Sequence, residues 1–145
     1  MTYFILQQDL QIDNKHISEG DVEYDLLPGN IQLQTNSGLI DMSWGWVTVL
    51  DFAIFFKRIC NILSHKEDGC QKFGFTENDE YLQLCREKDT IKIHPSFDGD
   101  TLVVNFEEFS KEVDKFYNSV LEDVFNANPF LRCNKEFLRI VNNVD

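Results

Sequence analysis

Hydrophobic and polar positions change their period several times along this chain, and those changes mark its elements. In the first forty residues Tyr3, Ile5 and the Leu10/Ile12 pair keep a rough two-residue alternation, as in strands of a half-buried antiparallel sheet. Pro28-Gly29-Asn30 divides Val22–Leu27 from Ile31–Thr35, where Ile31 and Leu33 alternate with Gln32 and Gln34, and this predicts a hairpin. Asn36-Ser37-Gly38 supplies a second turn. From Val47 to Leu63 the apolar spacing becomes three and four, predicting a helix that Phe52 and Phe55 make apolar beyond a single stripe. Four short strands are then expected at Lys72–Thr76, Glu80–Arg86, Thr90–His94 and Asp100–Val104, with turns at Glu77-Asn78-Asp79, Lys88-Asp89 and Asp98-Gly99. Phe106, Phe109, Val113, Phe116, Tyr117, Val120, Leu121, Val124 and Phe125 mark one face of a helix over 106–127. Asn105 stands at its N-cap, with Glu108 three residues on and Pro129 beyond its end. A shorter helix follows over 134–142. The prediction is an α+β fold. It has a mainly antiparallel sheet of about six to eight short strands, covered on one face by two main helices (47–63 and 106–127), with a short C-terminal helix.

Composition fits that picture. With 145 residues, 43% of them hydrophobic and including 13 Phe, the chain can bury a core of its own and is expected to form one domain over 1–145. The most apolar run, Trp44–Phe56, contains Asp51 and stops at Lys57-Arg58, short of the roughly 20 apolar residues of a membrane-spanning helix. The opening Thr2–Leu6 has neither a basic stretch nor a small-residue cleavage site, so no secretory leader is expected. Cys60, Cys70, Cys85 and Cys133 form no C-x-x-C pair, and their spacing matches neither a disulfide framework nor a zinc site. Reduced thiols and a cytoplasmic location are the expectation.

Charge narrows the choice of partner. Thirteen basic against twenty-five acidic residues give a net charge of −12. Residues 1–50 carry Asp9, Asp13, Glu19, Asp21, Glu23, Asp25 and Asp41 against Lys15. Residues 98–123 carry Asp98, Asp100, Glu107, Glu108, Glu112, Asp114, Glu122 and Asp123 against Lys111 and Lys115, and the stretch between is near balance. A field of this sign repels nucleic acid and anionic membranes and steers basic partners inward. Solubility alone would also account for an acidic surface.

Catalytic signals are thin. His16, His65 and His94 match no nucleophile or metal-helix spacing, and the seven glycines are scattered singly rather than gathered in a phosphate loop. Glu107-Glu108 falls in the first turn of the second long helix, where negative charge suits the helix dipole and Lys111 can pair with it. Asp98-Gly99-Asp100 lacks the further oxygen ligands and closing glutamate of a calcium loop. Trp44 and Trp46, around Gly45, fit either the plug of one end of a core or the anchor of an interface. No catalytic residue, metal or cofactor is expected.

The segment Asp98–Asp123, DGDTLVVNFEEFSKEVDKFYNSVLED, joins a glycine turn, a strand and an acidic amphipathic helix. In that order of parts it resembles small acidic immunity proteins of bacterial contact-dependent growth inhibition and other polymorphic toxin systems. The resemblance covers roughly a fifth of the chain and carries no site residue across. It implies a cytoplasmic inhibitor that binds a cognate basic toxin domain, commonly a nuclease, and blocks its active site or substrate groove. Carboxylates would then stand where phosphates lie. The alternatives are a nucleic-acid mimic that inhibits a DNA-binding enzyme, or a small-ligand domain or enzyme with a pocket near His94 or Cys85. The expected partner is a basic protein, not nucleic acid, membrane or a small molecule. The expected contact acids are Asp9, Asp13, Asp21, Glu23, Asp25, Asp98, Asp100, Glu108, Glu112 and Glu122.

Overall fold

Antiparallel pairing sorts the strands into two sheets rather than the single sheet expected. In the computed structural model, which describes residues 1–5, 17–22 and 27–145, the first sheet holds β1 (Thr2–Ile5), β2 (Pro28–Thr35) and β3 (Gly38–Thr48) in that order. The second holds β4 (Asp68–Gly74), β5 (Tyr81–Glu87), β6 (Thr90–Pro95) and β7 (Leu102–Asn105) as a meander. Helices α1 (Val49–Ser64), α2 (Phe106–Ala127) and α3 (Lys135–Val141) complete the element order, with a 3-10 helix at Pro129–Cys133 between the last two.

Two-residue alternation sets the buried face of each strand. Ile31 and Leu33 of β2 and Ile40 and Met42 of β3 point into the core, as do Leu82 and Leu84 of β5, Ile91 and Ile93 of β6, and Leu102 of β7. Apolar side chains of α1 and α2 cover them. Phe52 and Phe56 of α1 stack at 4.1 Å between ring centroids, and Phe73 of β4 meets Phe52 edge-on at 5.0 Å. All of these belong to one continuous cluster. Asn105 caps α2 as expected, its side chain accepting from the Glu108 N–H at 3.1 Å, and Asn134 does the same for Phe137 in α3.

Several expectations are corrected. Pro28-Gly29-Asn30 is not a turn but the start of β2; proline is tolerated there because the first strand position need not donate to the ladder. Upstream, Glu19–Val22 is helical rather than extended, while the strand expected at Leu10 and Ile12 and residues 23–26 of the one expected over Val22–Leu27 lie outside the described residues. The Ser18 N–H donates to the Asp21 carboxylate at 2.9 Å while the Asp21 N–H donates to Ser18 Oγ at 3.2 Å. That reciprocal capping is legible in the spacing Ser18-x-x-Asp21. Val47 lies in a strand, because β3 continues to Thr48 before α1 begins. Cys70 and Cys85, expected as thiols, face one another across β4 and β5 and form a disulfide, while Cys60 is buried and free and Cys133 exposed and free.

The two sheets meet edge to edge. The Ser37 hydroxyl, in the β2–β3 turn, accepts from the Val103 N–H of β7 at 2.9 Å and donates to the Val103 carbonyl at 3.3 Å. Beside it, the Leu39 N–H donates to the Asp100 carboxylate at 2.9 Å and the Asp100 N–H donates to the Leu39 carbonyl at 3.2 Å. Gly38 makes this approach possible: a Cβ there would lie 2.3 Å from Asp100 Oδ2.

Candidate functional site

An aromatic patch with an acidic fringe occupies the end of the second sheet where β4 and β6 finish. Register brings its parts together. Asn30 alone stands opposite four residues of β3, because Gly29 pairs with Val47 and Ile31 with Met42. The surplus, Ser43-Trp44-Gly45-Trp46, bulges out of the ladder. Gly45 takes a positive φ of 78° that an L side chain rarely adopts, and its N–H is satisfied by Asn30 Oδ1 at 2.6 Å. With the backbone so turned, Trp44 and Trp46 stack on each other at 5.1 Å instead of pointing to opposite faces.

Both indoles remain partly exposed while resting on the core's edge. Trp44 meets Phe75, just after β4, at 5.0 Å and Phe97, just after β6, at 4.9 Å, both edge-on. The Trp pair packs on the core with one side and meets solvent with the other.

Acids surround this patch. The β4–β5 turn reads Phe75-Thr76-Glu77-Asn78-Asp79-Glu80 and the β6–β7 turn Ser96-Phe97-Asp98-Gly99-Asp100-Thr101, with no Lys or Arg in either or in the Trp bulge. Ser96 ties the turns together: its hydroxyl donates to the Glu80 carboxylate, and its N–H donates to the Tyr81 carbonyl at 2.9 Å. Glu77, Asp79 and Asp98 are exposed and form no ion pair among the described residues. Asp41, two residues before Ser43, is held below the usual carboxylate range by the Ser43 hydroxyl, assisted by Gln32 and opposed by slight burial.

The ten acids expected as contacts fall into different situations. Asp9, Asp13, Glu23 and Asp25 lie outside the described residues. Asp21 caps its own helical turn and Asp100 clamps the two sheets. Asp98 belongs to the acidic fringe. On α2, Glu112 pairs with Lys115 at 3.1 Å and lies 4.0 Å from the Met1 amino group, while Glu108 and Glu122 are exposed. Neighbouring acids on that helix are also paired, Glu107 with Lys111 at 3.2 Å and Asp114 with Lys57. The helix face is therefore partly neutralised, by Lys111 and Lys115 of α2 and Lys57 of α1, and among the described residues Glu77, Asp79 and Asp98 at the sheet end are not. Glu77, Asp79 and Glu80 are not among the expected contact acids, because a long window averages them with Lys72 on β4, Arg86 on β5 and Lys88 in the β5–β6 turn. The signal that would have found them is a turn carrying three acids and a phenylalanine with no cation.

Several concavities lie elsewhere among the described residues. One of about 510 Å³ is lined by Ser64, Arg86, Asp89, Asn105, Phe106, Glu107 and Ser110. Its guanidinium is already engaged: Arg86 donates to the Lys88 and Leu63 carbonyls, both at 2.7 Å, and lies 4.0 Å over the Phe106 ring. Neither His94 nor Cys85 lines it; His94 Nδ1 shares a hydrogen bond with Thr101 Oγ1 at 2.8 Å. Among the described residues no three His, Cys, Asp or Glu side chains are grouped to hold a metal ion, and no helix is long and apolar enough to cross a membrane. Compared with protein families, characterised proteins and solved structures, the chain matches none.

Proposed function

We propose that this chain is a non-catalytic binding protein that docks a basic protein on the Trp44/Trp46 end of its sheets. The observation that carries the reading is a stacked Trp pair, partly exposed, fringed by Glu77, Asp79 and Asp98 with no cation in the same three segments. Tryptophan and tyrosine anchors with a charged rim are the usual anatomy of an interface hot spot. Arginine is the complement such a patch selects, since a guanidinium can stack on an indole and pair with a carboxylate at once. The net charge of −12 adds long-range steering toward a basic partner. On the resemblance of residues 98–123, the partner is a cognate toxin domain of nuclease type, and the chain acts as its immunity protein, in the cytoplasm, by covering the toxin's active site or substrate groove.

The test compares two charge-reversal variants against one captured and identified basic partner, using association rates over a salt series. Reversing Glu77, Asp79 and Asp98 to Lys should slow association by on the order of tenfold at low salt, the difference shrinking as salt rises. Reversing Glu108 and Glu122 should change it less than about twofold. Trp44→Ala should act mainly by speeding dissociation. If the α2 reversal proves the damaging one, the docking face has been assigned to the wrong surface.

A further inference from the structure

We infer that Cys70–Cys85 is a reversible thiol–disulfide exchange site, worked by an external thiol on the folded protein, that latches and unlatches the first half of edge strand β4. The disulfide lies outside the core. Cys70 and Cys85 are register partners with Cα atoms 4.1 Å apart, and the same face carries Lys72, Gln83, Lys92 and His94, while Phe73, Leu82 and Leu84 point inward. Cys70 is exposed and Cys85 partly so. An attacking thiolate therefore reaches the bond without any opening of the fold, and access of this kind is what separates labile disulfides from inert ones.

The chemistry balances with a monothiol of the glutathione class. Its thiolate attacks Sγ of Cys70, the more exposed residue; the S–S bond breaks and Cys85 leaves as a thiolate. Lys92 is the register partner of Cys85 on β6, and a cation on that face favours the leaving thiolate. A second thiolate then attacks the small thiol's sulfur in the mixed disulfide, releasing Cys70 and forming the oxidised small disulfide. Two electrons pass from two external thiols to the protein, and two protons end on Cys70 and Cys85.

Position in the fold decides the consequence. Among the described residues β4 pairs only with β5, as the edge strand of its sheet. Its far end is anchored by Phe73, packed edge-on against Phe52 and Phe55 of α1 at 5.0 and 5.1 Å. Its near end, Asp68-Gly69-Cys70, contributes no fully buried side chain and is stapled by the disulfide. Reduction thus releases the near end and leaves the anchored end and the core in place.

The experiment uses the full chain. The air-oxidised protein is treated with reduced glutathione without denaturant, quenched by alkylation and peptide-mapped, with deuterium uptake measured in both states. Cys70 and Cys85 should become alkylated at a rate linear in glutathione concentration while Cys60 stays protected, and oxidised glutathione should restore the bond. Uptake over residues 66–71 should accelerate tenfold or more on reduction, with 91–95 unchanged. A Cys85→Ser variant, which leaves Cys70 free, should form a mixed disulfide with oxidised glutathione, the Cys70 thiolate breaking its S–S bond and releasing one glutathione thiol. The proposal is overturned if reduction requires urea, if Cys70 and Cys85 remain thiols under oxidised glutathione, or if reduction raises uptake throughout the chain. None of these outcomes depends on whether the Trp patch binds a basic partner.

Discussion

Gly38 and Asp100 form a coupled pair, and a double-mutant cycle on them tests how the two sheets are joined. Gly38 has a φ of 148°, and a Cβ there would fall 2.3 Å from Oδ2 and 2.5 Å from Cβ of Asp100. Gly38→Ala must therefore displace the Asp100 side chain as well as hold alanine in a backbone region that favours glycine. The backbone part costs about 1–3 kcal/mol. Displacing the carboxylate also removes its 2.9 Å hydrogen bond from the Leu39 N–H. Bonds to charged groups are worth about 1.5–3 kcal/mol, and at this exposed position, where water replaces the carboxylate, about 1 kcal/mol is the better figure. The sum is about 2–4 kcal/mol, or a fall in Tm of roughly 6–12 °C at this chain length. Asp100→Gly removes both the bond and the obstruction, so in that background Gly38→Ala should cost only its backbone part. The coupling, read from urea unfolding of wild type, both single variants and the double variant, should be about 1 kcal/mol. Additivity within about 0.5 kcal/mol would show that the carboxylate does not sit over Gly38, and the account of the sheet junction would fail.

Gly45 offers a simpler case. A Cβ there would meet nothing within 4 Å, so Gly45→Ala tests the positive φ alone and should cost about 1–2 kcal/mol in urea titration, with Gly45→Asn milder; no loss would mean the Trp bulge does not need that backbone. Cys60 predicts an alkaline limit. Burial, helped by Asp114, pushes its thiol from 9.0 up to about 12, and burial also raises Tyr117 above 10.0. A group with a raised folded-state pKa contributes stability that is complete below the unfolded value and is lost as pH climbs toward the folded one. Urea midpoints should therefore drop between pH 8 and pH 10.5 (about 1.5 units above the unfolded thiol value), and drop less in Cys60→Ala. Native Cys60 should resist alkylation at pH 8 while exposed Cys133 reacts; equal rates would refute the burial.

Much of this fold could be read from local pattern. The period of α2, its Asn105 cap, the short α3 and strands β5 and β6 all follow from side chains within a few residues of one another, where propensity and burial agree. The Pro28-Gly29-Asn30 signal failed because β2 begins there and pairs with Thr48 and Val47, partners about twenty residues away. A separation of 15 residues likewise hid the disulfide: Cys70 meets Cys85 only once the β4–β5 register is known, and a slip of one residue would turn one sulfur inward.

The candidate site divides in the same way. Sequence determined a strongly acidic chain with a Trp-Gly-Trp motif ahead of a buried helix. Tertiary structure decided which acids are paired, joining several on α2 to lysines while, among the described residues, leaving Glu77, Asp79 and Asp98 without an ion pair. It also decided that four residues of β3 would stand against Asn30, turning Trp44 and Trp46 to one side. Composition sets how much charge and apolar surface a chain carries; which groups become neighbours is set by strand register, and register is a property of the assembled sheet.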